Sequence, residues 1–190
     1  LMALDKYPWS ERYGWVQDRF GVSWQLILTD PAGEERPQVM PSILFTGKVY
    51  GRAEEAVKHY LSVFKDAKTG GMMKYPAGAA PNREGTVMFA DLKIGDLWLA
   101  VMDGAGEHAY EFNEAVSFMV NCESQAELDA YADKLSADRD AEQCGWVKDA
   151  FGVSWQIASA RLNEMMRSGD QKAVDRVTQA FLPMKRFDLK

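Results

Sequence analysis

Apolar and polar positions alternate in two nearly identical stretches of the chain. Residues 14–26 read GWVQDRFGVSWQL and residues 145–157 read GWVKDAFGVSWQI, agreeing at ten of thirteen positions. Period-two alternation marks a strand with one buried face, and the Phe20-Gly21 and Phe151-Gly152 pairs break it where the chain must reverse. Each phrase therefore predicts a β-hairpin. Agreement over this length points to duplication, and so to two equivalent structural modules.

The pattern between the two phrases fills in one complete module. Residues 42–47, SILFTG, predict a strand. Residues 52–64 then place Ala53, Ala56, Val57, Tyr60, Leu61 and Phe64 on one helical face. Three strand-like runs follow at 70–76, 86–94 and 96–104, with Gly95-Asp96 as a tight turn. The order β, α, β, β, β then restarts. Residues 114–122 predict a strand, and Ser124 with Glu127 forms a capping box for a helix carrying Leu128, Tyr131 and Leu135. The polar run 136–143 contains or borders a short strand and leads into the second hairpin. Residues 160–167 and 170–182 predict helices, the latter with Ala173, Val174, Val177, Phe181 and Leu182 facing inward.

The expected architecture is α+β, with paired βαβββ units spanning 41–104 and 112–158. C-terminal helices over 159–184 complete a module at 40–190. Residues 1–36 have no room for a helix and read as the closing strands of an incomplete first module, so the chain reads as a piece of a longer tandem protein. Such a small sheet cannot cover its own apolar row of Trp15, Val22, Trp24 and Leu26. Pairing through it predicts a homodimer.

Composition narrows the function. With 22 Lys plus Arg against 28 Asp plus Glu, the net charge is -6. No basic stripe interleaved with aromatics opposes that charge, which excludes nucleic acid as an expected partner. The apolar runs are too short to span a bilayer, and no signal-peptide pattern opens the chain. Cys122 and Cys144 fit no metal spacing, and the expected setting is reducing and cytoplasmic.

Three stretches, FTGKVYGRAEEAVKHYLSVF, FNEAVSFMVNC and QCGWVKDAFGVSWQI, resemble the PhnB-like proteins of the vicinal oxygen chelate superfamily, the group that includes glyoxalase I and extradiol dioxygenases. Members often carry the label 3-demethylubiquinone-9 3-methyltransferase. The resemblance implies two βαβββ units whose curled mixed sheets enclose a cup. In active members a divalent metal is held there by His and Glu from strands of both halves. No Gly-rich turn joins a strand to a helix as a nucleotide cofactor or S-adenosylmethionine site on an open parallel sheet would require, which counts against the methyltransferase label.

The residues depart from the metal-binding pattern. The first strand carries no His, Glu or Asp, and the fourth offers Trp98, Ala100 and Met102 on one face. The fifth has Ser117 where a His is expected. Alternation turns Gln156 toward the cup, about where metal-binding relatives carry Glu, and an amide is a poor ligand for a hard or borderline dication. No cofactor is therefore expected. The candidate ligand-binding residues are Trp98, Met102, His108, Asn113, Ser117, Ser154 and Gln156, lining a cup for a small, partly apolar molecule. The alternative is an enzyme of the superfamily acting on a small oxygen-rich substrate, with His108 or Glu114 as acid or base. A dimerising scaffold is the third reading. Asp18, Asp103 and Asp149 are expected to tie down turns, His59 to lie on a solvated helix flank, and Cys144 to be a small buried residue.

Overall fold

The computed structural model describes all residues except Asp30, Pro31, Glu34, Ala109 and Lys190. It divides into two compact units, Leu1–Val39 and Met40–Lys190. The first is a three-stranded antiparallel sheet of β1 (Met2–Tyr7), β2 (Ser10–Gln17) and β3 (Ser23–Ile27), paired in sequence order. At the end of the first strand Tyr7, Trp9 and Tyr13 pack together. Their ring centroids lie 5.2 to 5.7 Å apart.

The second unit holds two sheets. One has the order β4-β7-β6-β5, from β4 (Ser42–Phe45), β5 (Lys68–Lys74), β6 (Val87–Ile94) and β7 (Leu97–Asp103). The other has the order β8-β10-β9, from β8 (Ser117–Cys122), β9 (Trp146–Lys148) and β10 (Ser154–Ser159). In each sheet the first strand pairs in parallel with the last, β4 with β7 and β8 with β10, as two copies of one motif would. The second copy is one strand short. The polar run 136–143 has no alternating apolar residues to bury, and its expected strand shrinks to an isolated bridge between Gln143 and Trp146.

Helix α1 (Ala53–Val63) buries Ala53, Ala56, Val57, Tyr60 and Val63, a spacing that puts all five on one face. Full burial of each larger side chain stabilises by roughly 1.5–3 kcal/mol. Glu54 and Glu55 favour its first turn through the helix dipole. The residue before it, Arg52, makes no side-chain cap. The cap comes instead from the end of β7, where Asp103 accepts from Gly51 N at 2.7 Å, Ala53 N at 3.3 Å and Val87 N at 2.9 Å. Helix α2 (Gln125–Leu135) starts at the expected Ser124 cap, with the Glu127 carboxylate reaching one residue further back than a capping box would. Ser124 Oγ accepts from Glu127 N, and Glu127 reaches back to Glu123 N. Both helices join one core with β4, β6, β7 and the second hairpin.

Asp149 organises that hairpin. Its Oδ1 accepts from Phe151 N at 2.9 Å and Val153 N at 3.0 Å, and its Oδ2 from Trp155 Nε1 at 2.9 Å and the Tyr60 hydroxyl at 2.7 Å. Asp18 repeats three of these bonds in the first hairpin, accepting from Phe20 N, Val22 N and Trp24 Nε1. The indole N–H is the main reason its carboxyl is held below the ordinary aspartate range. The fourth bond, from a helical tyrosine, belongs to Asp149 alone among the described residues.

Two expectations change near the C-terminus. Helices α3 (Ala160–Met166) and α4 (Gln171–Phe181) pack on each other, but α4 buries no residue and Leu182 is 54% exposed. Cys144 is only half-buried and adopts φ 48. The chain must reverse there so that Cys144 N and Gly145 N can donate to Met184 O and Lys185 O. Residues 182–189 thus form a strap along this edge, fixed by Arg186, which pairs with Glu142 through both guanidinium branches at 2.7 Å. No helix among the described residues is long and apolar enough to cross a membrane.

Candidate functional site

The face of the β8-β10-β9 sheet that turns away from the helices carries the polar candidates. Trp155 and Ile157 point into the core with Tyr60 and Phe64, which leaves Ser154 and Gln156 on the opposite side, as the alternation predicts. Parallel pairing sets Ser154 beside Ser117 and Gln156 beside Met119. Across that register Gln156 Nε2 donates to Ser117 Oγ at 2.7 Å. Ser154 Oγ is buried without a hydrogen-bond partner among the described residues. Buried hydroxyls are rarely left so, and each costs about 1–3 kcal/mol.

The first half supplies an apolar counterpart. Trp98, Ala100 and Met102 share one face of β7, where Leu44 pairs beside Met102 and Ser42 beside Ala100. Trp98 and Met102 are buried. His108 folds back over the strand end, so that a Cβ added to Gly104 would meet both Leu44 and His108 Nε2, at 3.0 and 3.4 Å. Its ring centroid lies 5.1 Å from that of Tyr110.

Asn113 and Glu114 join neither group. Asn113 Oδ1 accepts from Ala115 N at 2.9 Å, closing a local turn before β8. Glu114 pairs with Lys148, which holds its carboxyl below the ordinary range and makes it a weaker proton acceptor. His59 lies on the flank of α1 against Phe151 and Tyr60. Burial pushes the Cys122 thiol up to about 11, so it is not a ready nucleophile.

Where the resemblance expects His and Glu ligands, the strands carry Ser117 and Gln156. They offer one hydroxyl and one amide and no carboxylate, imidazole or thiolate, a donor set that does not fit a divalent ion. Elsewhere among the described residues, no group of three or more His, Cys, Asp or Glu side chains is placed to hold a metal.

One feature of this unit escaped the sequence reading. A cavity of about 120 Å³ lies off the end of β4, with Leu44, Thr46, Val49, Phe112 and Phe151 among its walls. The available signals were Thr46, which continues the alternation Ser42, Leu44 beyond the strand, and the aromatic pair of Tyr110 and Phe112 around Glu111.

Two halves that each pair their first strand in parallel with their last, with helices on one side and a mixed polar and aromatic face on the other, define a protein of the glyoxalase, or vicinal oxygen chelate, fold. Within it the chain belongs to the family described as 3-demethylubiquinone-9 3-methyltransferase, whose model matches residues 37–158, and it is PhnB-like. A Bacillus cereus protein described as a 3-demethylubiquinone-9 3-methyltransferase and PhnB protein is similar at 28% identity and TM-score 0.55, over 65% of this chain and 99% of that one. A Pseudomonas aeruginosa protein is similar at 22% identity and TM-score 0.51, over 65% and 98%. The fosfomycin resistance protein FosX of Mesorhizobium loti aligns at 15% identity and TM-score 0.42, over 70% and 98%. No curated protein matches the chain. The family match begins at residue 37, so the first hairpin lies outside it.

Proposed function

We propose that the chain binds a small, uncharged, partly apolar molecule without a metal, on the face of β8 and β10 that turns away from the helices. The observation that carries this reading is the Gln156–Ser117 hydrogen bond at 2.7 Å beside the unpartnered Ser154 hydroxyl. An amide and two hydroxyls recognise carbonyl, hydroxyl or amide groups and give a full charge nothing to pair with. Trp98 and Met102 would supply apolar wall, and His108 the margin. A methyltransferase would need a site for its methyl donor, and the mixed sheet that carries the glycine turn between β4 and α1 is not the open parallel sheet on which such a donor binds. With Glu114 held by Lys148, acid–base chemistry on this face would rest on His108 alone. Native mass spectrometry of the purified chain tests the reading. A retained organic adduct that disappears in Gln156→Ala and weakens in His108→Ala is expected. An adduct unaffected by either change would refute it.

We infer further that the first hairpin is covered by a second copy of the chain, giving a homodimer. Its twin explains why. Phe151, Val153 and Trp155 are 2 to 4% exposed, whereas Phe20, Val22 and Trp24 are 76, 53 and 42% exposed on the same scaffold. Contiguous bare aromatic and aliphatic surface of this kind favours association. Sedimentation is expected to give a dimer that Val22→Asp with Trp24→Ser converts to monomer. A wild-type chain sedimenting as monomer at all concentrations would remove the inference.

A further inference from the structure

We propose that the cavity beyond the end of β4 is a second binding site, for a small neutral ring bearing one hydroxyl, of the phenol class. Its volume of about 120 Å³ is close to the roughly 150 Å³ of an engineered apolar cavity that takes up benzene. None of the seven ligand-binding candidates named from the sequence lines it. Phe112 and Phe151 form aromatic wall, each edge-on to Phe45 at 79° and 71°, and aromatic walls favour a flat guest that can lie against them or meet them edge to face. Leu44 and Val49 complete the apolar lining.

The polarity of the guest follows from Thr46. This residue lines the cavity and is 5% exposed, and its Oγ1 is sealed from solvent with no partner among the described residues. Thr46 stands at the N-cap of the 3-10 turn Gly47–Val49, where a threonine side chain would ordinarily accept from the backbone, yet it makes no such bond. The backbone there is extended, φ -137, and a hydroxyl with no partner in the protein is satisfied only by a guest that brings its own polar group. A single buried hydroxyl calls for a single complementary group. Charge selects nothing here. Lys48 and Glu111, the two ionic residues of the lining, are largely exposed and pair with each other at 3.1 Å, so neither an anion nor a cation finds an unpaired partner.

Titration with phenol and with toluene, followed by ligand-observed NMR, tests the site. Phenol is expected to bind more tightly than toluene. Thr46→Val, which keeps the shape and removes the hydroxyl, is expected to weaken phenol about 3- to 10-fold, the worth of one hydrogen bond, and to leave toluene unchanged. Thr46→Ser should restore phenol binding, and Val49→Phe should abolish both by filling the space. Thermal unfolding of each variant confirms that it is folded, and Thr46→Val suffices alone if Val49→Phe is not. Equal affinity for phenol in wild type and Thr46→Val, phenol binding that persists in a folded Val49→Phe, or no saturable phenol binding by the folded wild type would each overturn the proposal.

Discussion

Asp149→Ala is expected to destabilise the Met40–Lys190 unit by about 4 kcal/mol or more, measured by urea unfolding. The carboxylate accepts four hydrogen bonds, and deleting it leaves two backbone N–H groups, the Trp155 indole and the Tyr60 hydroxyl without partners inside the core. An orphaned buried donor costs about 1–3 kcal/mol, against a total stability of about 5–15 kcal/mol for a domain. Tyr60→Phe removes one of the four bonds and takes its donor with it, so a loss near 1 kcal/mol is expected. Asp18→Ala removes the same local bonds from the first hairpin, where the tyrosine is missing and the surroundings are exposed. The unfolding of the larger unit should therefore keep its midpoint in that variant. Equal effects of the two aspartates would mean that the turn, and not the connection to α1, gives Asp149 its weight.

Gly145→Ala is expected to detach the C-terminal strap and to cost about 3 kcal/mol or more. The residue sits at φ 78, where an L side chain is strained by roughly 1–2 kcal/mol. A Cβ there would stand 2.6 Å from the Phe187 ring and 2.7 Å from Ile157 O, and overpacking of this kind adds about 1–3 kcal/mol. Gly14, its counterpart, has no positive φ, and the nearest atom a Cβ there would meet is Leu4 Cα at 3.1 Å, so Gly14→Ala should cost less. The strap is also acid-sensitive. Arg186 holds the Glu142 carboxyl below the ordinary glutamate range, so this pair stabilises fully above that range and is lost as pH falls through the lowered value. Hydrogen exchange over residues 182–189 should thus rise in Gly145→Ala at neutral pH and in the wild type on acidification. Unchanged protection in both would show that Phe187 and Arg186 do not hold the strap.

Where local pattern decides, the sequence was readable. Alternation located both hairpins and turned Gln156 away from Trp155 and Ile157. The helical period found the buried face of α1, and the Ser124 cap found the start of α2. What escaped depended on partners far along the chain. Tyr60 completes Asp149 across 89 residues, and Asp103 caps α1 from the end of β7, whereas both aspartates read locally as turn residues. Cys144 and Leu182 looked like buried apolar positions until the strap and the single contact layer of α4 placed them near the surface. Residues 136–143 were close to a strand by position but lacked side chains to bury. At the sheet face, Ser117, Ser154 and Gln156 were legible because strand register sets them side by side. Thr46 was not, because a threonine after a strand signals nothing until a cavity is found beside it.

A face whose polar groups are the Gln156 amide and the Ser117 hydroxyl is proposed to read neutral groups and to leave divalent ions unbound. Equilibrium dialysis of the wild-type chain and Gln156→Glu against manganese, nickel, zinc and ferrous ions tests it most directly. No saturable stoichiometric binding by the wild type is expected, and tighter binding, if any, only in Gln156→Glu, where a carboxylate replaces the amide. A stoichiometric ion on the wild type that is lost in Gln156→Ala would contradict it.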